Sequence, residues 1–283
     1  REAVRDTWLK HPAEGIECLF FVGAKEPPPG EEEDTVALDA PDGYNELPAK
    51  VRAFFLHALQ HYDFEWLFKC DDDTYLDLTR LESAADADYD LIGDPSILIR
   101  QSPSGGAGYF LKRYMVENLV EASGFAMTGA EDVIVGEMVT RLGGTMKSTR
   151  RLYMSNTAYP NAENDMVTAH WCVPDIMRAI YQINHQEPSL ICDAVHHYWK
   201  GGMLFYASGV FKRKDTSCYG WWSIGPKGEL TLKWQMWPME QLLLEGDTYI
   251  GSETKIIQRP GVTSLYQLWT RKNQPAPHVE VMD

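Results

Sequence analysis

The chain has 283 residues, 44% of them hydrophobic and 24% charged, as expected of a globular protein rather than a disordered or fibrous one. A formal net charge of −15 argues against nucleic-acid binding through bulk electrostatics, and no apolar run is long enough to span a bilayer. The length suits one large domain, or one domain with an appended module; five scattered cysteines without Cys-x-x-Cys spacing argue against a disulfide framework or a zinc site. With no signal-like leader, those cysteines lean towards a reducing compartment such as the cytoplasm.

In chain order, Arg5 to Trp8 read as part of a helix that begins before residue 1, with Arg1 and Arg5 on one face. Cys18 to Val22 read as a short strand ended by Gly23, Glu26 to Asp34 as a loop, and Val36 to Leu38 as another strand. Asp42-Gly43-Tyr44-Asn45 turns into a helix. There Val51, Phe54, Phe55, Ala58, Leu59 and Tyr62 share one apolar face, and His57 and His61 read as surface residues.

Phe64 to Phe68 form an apolar-aromatic run typical of a buried strand, followed by Lys69-Cys70-Asp71-Asp72-Asp73. Three carboxylates at a strand end repel one another, and burial makes them costlier unless a cation is present. Mg²⁺ or Mn²⁺ commonly bridges protein carboxylates and a diphosphate. The triplet is therefore either an Asp-x-Asp metal site at Asp71 and Asp73 or an acidic turn in water.

Thr74 to Leu76 return to extended structure, Leu78 to Ala85 read as a short helix, and Tyr89 to Gly93 as a strand. This alternation predicts an α/β fold with a mostly parallel sheet flanked by helices, and such sheets bind ligands at the carboxyl ends of their strands. Closely spaced glycines at Gly105, Gly106 and Gly108 let a backbone approach a ligand, or serve a tight strand entry. Leu111 to Ala122 read as a helix. Glu131 and Asp132 open an apolar helical run closed by Gly143-Gly144, where carboxylates suit the positive helix end; one caps the helix or faces the site as a base.

His170 is either structural or a third metal ligand, imidazole suiting Mn²⁺ better than Mg²⁺. Trp171 reads as packing and Pro174 to Ile183 as a helix. From about residue 195 the pattern becomes aromatic and alternating, in His196-His197-Tyr198-Trp199, Tyr219-Gly220-Trp221-Trp222 and Leu230 to Trp234. Pro226-Lys227-Gly228 supplies a hairpin turn. A small β-rich module results, its tryptophans mostly core, with Trp221 or Trp222 as the ones read as touching a glycan. The tail from Gln274 is Pro-rich and reads as loose.

Taken in order, Arg1-Glu2-Ala3-Val4-Arg5-Asp6-Thr7-Trp8, Tyr44-Asn45-Glu46-Leu47-Pro48-Ala49-Lys50, Lys69 to Asp73, Gly105 to Tyr109 and Glu131-Asp132-Val133-Ile134-Val135-Gly136 resemble the motifs of the β-1,3-galactosyltransferase / β-1,3-N-acetylglucosaminyltransferase family. The resemblance covers roughly residues 1 to 180. It implies a GT-A fold, Rossmann-like, over residues 1–190, with the β-rich module over 191–283. It also implies an inverting, metal-dependent glycosyltransferase moving galactose or N-acetylglucosamine from a UDP-sugar to a glycan acceptor. By it, Asp71, Asp73 and His170 are expected to hold Mn²⁺ (or Mg²⁺), and Asp132 to be the base. The diphosphate and donor are expected near Asp71, Asp72, Lys50, Gly106 and Gly108. The family places a strand upstream of its first motif, so that strand, and an anchor with it, are expected to be missing from this sequence. A Golgi lumenal location follows if an anchor has been removed, and peripheral membrane association stays open. The alternatives are a carbohydrate-binding protein with an inactive transferase domain, and a metal-dependent nucleotide-sugar hydrolase.

Overall fold

The structure, a computed structural model, describes residues 1–24, 26–30, 33–196, 198–214, 216–258 and 263–272. His197 and the tail from Gln274 lie outside the described residues. The chain divides into two compact units, Arg1–Arg178 and Ala179–Asp283.

The first unit opens with a single helical turn, α1 (Glu2–Arg5), preceded by Arg1. Thr7 leaves helical geometry at φ −124° and ψ −109°, and Trp8–Lys10 form a separate 3-10 turn. The helix read through Trp8 is thus broken, with the Thr7 hydroxyl bonded back to the Ala3 carbonyl at 2.6 Å. Arg5 grips Asp34 through two hydrogen bonds of 2.7 Å, fixing α1 to the residue before the strand at Thr35–Leu38. β1 (Phe20–Gly23) and β2 (Thr35–Leu38) pair in parallel.

Helix α2 (Leu47–His61) buries Val51, Phe55 and Ala58, the face its spacing predicts, against the sheet core of Leu67, Leu91 and Leu111. Each such fully buried aliphatic or aromatic side chain contributes about 1.5–3 kcal/mol. Next come β3 (Trp66–Lys69), β4 (Tyr75–Leu76), β5 (Leu91–Gly93), α3 (Ile97–Arg100), β6 (Tyr109–Lys112), α4 (Arg113–Glu121) and α5 (Glu131–Arg141). β7 (Met146–Ser148), β8 (Leu152–Tyr153), β9 (Thr168–Ala169) and α6 (Pro174–His185) follow, α6 running across the division. Two expectations shift locally. Leu78–Arg80 and Glu82–Ala84 are two 3-10 turns rather than one helix, and Leu111 belongs to β6.

The main sheet has the order β3-β6-β5-β7, with β6 antiparallel to both neighbours and β7 parallel to β5. A second sheet has the order β4-β9-β8. The expected mostly parallel sheet is therefore mixed. Residues 94–108 form one helical turn and the glycine-rich segment rather than a crossover helix, so the chain re-enters the sheet from the end by which it left.

In the second unit, β10 (Leu190–His196), β11 (Trp199–Phe205), β12 (Val210–Arg213), β13 (Tyr219–Ile224), β14 (Leu230–Trp234), β15 (Glu240–Glu245), β16 (Thr248–Ile250) and β17 (Thr254–Ile257) form a closed antiparallel barrel. Each strand pairs with the next, and β10 pairs with β17 to close it. Inward residues alternate along the strands, as Leu190, Cys192 and Ala194 do on β10. Closure leaves no edge strand exposed. The turn after β13 places Gly228 at φ +82°, in the left-handed region that suits glycine. Trp222 is 3% exposed and its indole N–H donates to the Tyr206 carbonyl at 3.0 Å. It is core and cannot meet a glycan. Helix α7 (Leu265–Lys272) adds Leu265 and Leu268 to this core.

Candidate active site

The Asp triplet follows the carboxyl end of β3, where the chain turns with the Thr74 N–H on the Asp71 carbonyl at 3.1 Å. β4 then pairs antiparallel with β9, Tyr75 opposite Ala169. That register places His170 across from the triplet, and the Cys172 N–H bonds the Asp73 carbonyl at 2.7 Å. His170 Nε2 consequently lies 3.2 Å from Asp73 Oδ1 and 3.9 Å from Asp71 Oδ2. One ligand atom from each of Asp71, Asp73 and His170 falls within 4.8 Å of the others, the group among the described residues with metal-site geometry. Two carboxylates and an imidazole fit a hard or borderline divalent cation. Asp72 is exposed in the turn and stands outside this group.

β3 also pairs with β6, Lys69 opposite Tyr109, which brings the glycine-rich segment alongside the triplet. A side-chain carbon at Gly106 would sit 2.0 Å from the His170 ring. Gly108 has φ +94°, and a side-chain carbon there would sit 2.3 Å from Phe68. Both positions need glycine because protein side chains fill the space where a side chain would stand. His170 Nδ1 is buried without a hydrogen-bond partner among the described residues, so packing on Gly106 orients the ring.

Behind the triplet lies a buried charge network. The Lys69 ammonium, on a side chain 2% exposed, lies 2.8 Å from Asp71 Oδ1 and 3.3 Å from Glu131 Oε2. It also donates to the Gly105 carbonyl at 3.2 Å. The Tyr109 hydroxyl donates to Glu131. Burial disfavours the Lys69 cation, yet the Glu131 and Asp71 carboxylates outweigh it and raise its pKa above the ordinary value. Burial likewise favours a neutral Asp71, and Lys69 outweighs it, holding the carboxyl below its usual value. Burial and then Glu131 hold the Tyr109 phenol well above its usual range. Burial also pushes the Cys70 thiol up to about 12, which keeps it inert beside the triplet.

Of the two carboxylates that open α5, Glu131 is thus spoken for inside, and Asp132 faces the glycine-rich segment. Asp132 Oδ2 accepts the Gly105 N–H at 3.0 Å and Arg100 Nη2 at 3.0 Å, while Oδ1 accepts the Val133 N–H at 2.8 Å. Lys50 pairs with Asp42 at 2.6 Å and acts on Asp71 only through space. The His57 and His61 rings lie 4.3 Å apart, tilted by 33°, with His57 half-buried and His61 exposed on α2. Trp171 is 54% exposed rather than packed.

The sequence left Glu131 open as a helix cap or a base, and no local pattern marked Lys69, Tyr109 or Arg100 as partners of these carboxylates. A lysine closing the apolar run Trp66-Leu67-Phe68 was the available signal, since burial of a cation demands anionic partners.

A model of the galactosyltransferase family matches residues 1–93. β-1,3-Galactosyltransferase 7 of Arabidopsis thaliana is 29% identical over 102 residues, covering 29% of this chain and 26% of that protein. A probable β-1,3-galactosyltransferase 13 of the same plant is 33% identical over 99 residues, covering 29% of each. Glycoprotein-N-acetylgalactosamine 3-β-galactosyltransferase 1 of Xenopus laevis is 30% identical over 172 residues, 56% of this chain and 45% of that protein. The chain therefore spans between about a quarter and just under half of the length of these relatives.

Proposed function

We propose, from the premise that the N-terminal part of this chain belongs to the galactosyltransferase family, that the protein transfers galactose or N-acetylglucosamine from a UDP-sugar to a glycan hydroxyl, with inversion and in a β-1,3 linkage. The observation that carries this reading is the convergence of Asp71, Asp73 and His170 beside the glycine-rich segment, whose Gly105 N–H is bonded to Asp132.

Asp71, Asp73 and His170 would hold Mn²⁺ or Mg²⁺, which when bound supplies the positive charge that a departing diphosphate needs. Lys69 keeps Asp71 ionised and fixed for that task. Asp132 takes the proton of the acceptor hydroxyl while that oxygen attacks the anomeric carbon. The new C–O bond forms as the bond from that carbon to the diphosphate oxygen breaks on the opposite face, and its electron pair leaves with UDP. Arg100 and Gly105 hold Oδ2 of Asp132 and the Val133 N–H holds Oδ1, which orients the carboxylate while each oxygen keeps acceptor capacity for the hydroxyl.

Calorimetric titration of UDP into the protein with Mn²⁺, and again with EDTA, tests the reading. Binding is expected only with the metal, and Asp73→Ala should weaken it at least tenfold. Affinity equal in both buffers, or unchanged in the variant, overturns the metal site. Turnover with UDP-galactose and UDP-N-acetylglucosamine, with and without acceptor glycans, then separates transfer from hydrolysis.

A further inference from the structure

We infer that Trp171 is the platform on which the acceptor sugar stacks; the inference rests on the transferase reading of the site. Trp171 combines three features that packing does not explain. Its backbone lies at φ +60°, in the left-handed region that bulky residues rarely enter. Its side chain is 54% exposed. Its ring centroid lies 5.3 Å from that of His170.

The neighbours show how the conformation is imposed. His170 is turned inward on the Gly106 backbone, and Cys172 is fully buried with its N–H on the Asp73 carbonyl at 2.7 Å. Between two inward residues the chain must turn, and the Trp171 carbonyl is captured by Asn156 Nδ2 at 2.6 Å. A glycine would satisfy that turn without strain. A tryptophan there throws a large flat ring into solvent beside a proposed metal ligand.

Asn156, which holds the Trp171 carbonyl, lies two residues beyond Met154. Met154, 42% exposed, has its sulfur 3.6 Å from the Ser96 hydroxyl. Ser96 precedes α3, and α3 ends in Arg100 on Asp132. The inner side of the site, by contrast, is filled by Lys69, Glu131 and Tyr109. A ring exposed beside His170, outside that filled interior, is open to a sugar brought to the site. Aromatic faces take up the C–H face of a pyranose while its hydroxyls stay in water.

Saturation-transfer NMR on the whole chain, with Mn²⁺ and UDP present, is the test, using methyl β-galactoside and methyl β-N-acetylglucosaminide as probes. The wild type is expected to saturate the ring protons of one probe, and Trp171→Ala to lose that signal while binding UDP as the wild type does. Trp171→Phe should recover most of it. Trp171→Gly should raise the melting temperature by relieving the backbone and still lose the sugar. In turnover assays Trp171→Ala should raise the acceptor KM about tenfold with kcat nearly unchanged. Sugar saturation equal in wild type and Trp171→Ala, saturation absent from the wild type, or loss of UDP affinity in Trp171→Ala in place of sugar contact would each overturn the inference. Saturation that depends on Trp171 in a protein with no transfer activity would sustain the platform and reject the transferase reading.

Discussion

At the end of β3 the first unit buries a lysine, sets two carboxylates on it and places a tyrosine hydroxyl on one of them. The barrel fills its interior with Phe205, Phe211, Trp222, Trp234 and Tyr249. Both arrangements make a rigid interior. A buried ion pair gives little net stability compared with apolar packing of the same volume, because each charge loses its hydration. A chain able to build the second kind of core and yet retaining the first at one strand end is holding groups in place there. The contrast directs attention to the carboxylates beside Lys69, and gives the barrel the role of a unit stabilised by its own aromatic packing.

The largest expected effect tests the functional side of the contrast. Asp132→Asn removes the proposed proton acceptor and should lower turnover about 10²–10⁴-fold, with metal-dependent UDP binding retained. Wild-type turnover in that variant would move the base elsewhere. Lys69→Met comes next. It leaves Glu131 buried and Asp71 half-buried without their cation, and should cost about 3–5 kcal/mol in urea denaturation. A loss below about 1 kcal/mol would mean that the network is not held together by that charge.

Trp222→Ala in the barrel should cost a similar amount, about 3–5 kcal/mol, for a different reason: a cavity among Phe205, Trp269 and the strands around them. Measured where the variant stays folded, its UDP affinity should equal that of the wild type. A large drop would show that the barrel contributes to the site.

Asp90→Asn is the smallest change. Asp90 accepts the Thr145 N–H at 2.8 Å and the Thr145 hydroxyl at 2.9 Å, which joins the starts of β5 and β7. Burial raises its pKa, and hydrogen bonds from Thr145 and Tyr114 outweigh that and set it below the usual 3.8. The folded value being the lower one, this stabilisation is present above the ordinary carboxylate range and is lost as pH falls through the folded value. The variant should be less stable by about 1–3 kcal/mol at neutral pH. The gap should close in acid-titration melts as the pH drops below 3.8. A gap that persists in acid would assign the effect to shape rather than charge.

What the sequence determined by itself was local. The apolar face of α2 was legible because residues three and four apart share a helix face, and the β character of the barrel because alternate residues share a strand face. The strand before the Asp triplet, the carboxylates at the start of α5 and the turn at Gly228 were legible for the same reason, since neighbours in the chain carry the signal. Tertiary structure alone decided the rest. His170 meets Asp73 because Tyr75 pairs with Ala169, a register between distant segments that no local pattern encodes. The sheet is mixed because residues 94–108 turn back instead of crossing over, and the barrel closes because β17 finds β10. The glycine at 106 answers to a ring that arrives from residue 170, and Trp171 faces solvent because its two neighbours are locked inward. Pairing between remote strands depends on how whole elements pack, and that packing brings Asp71, Asp73 and His170 within reach of one cation and sets Asp132 on the neighbouring Gly105.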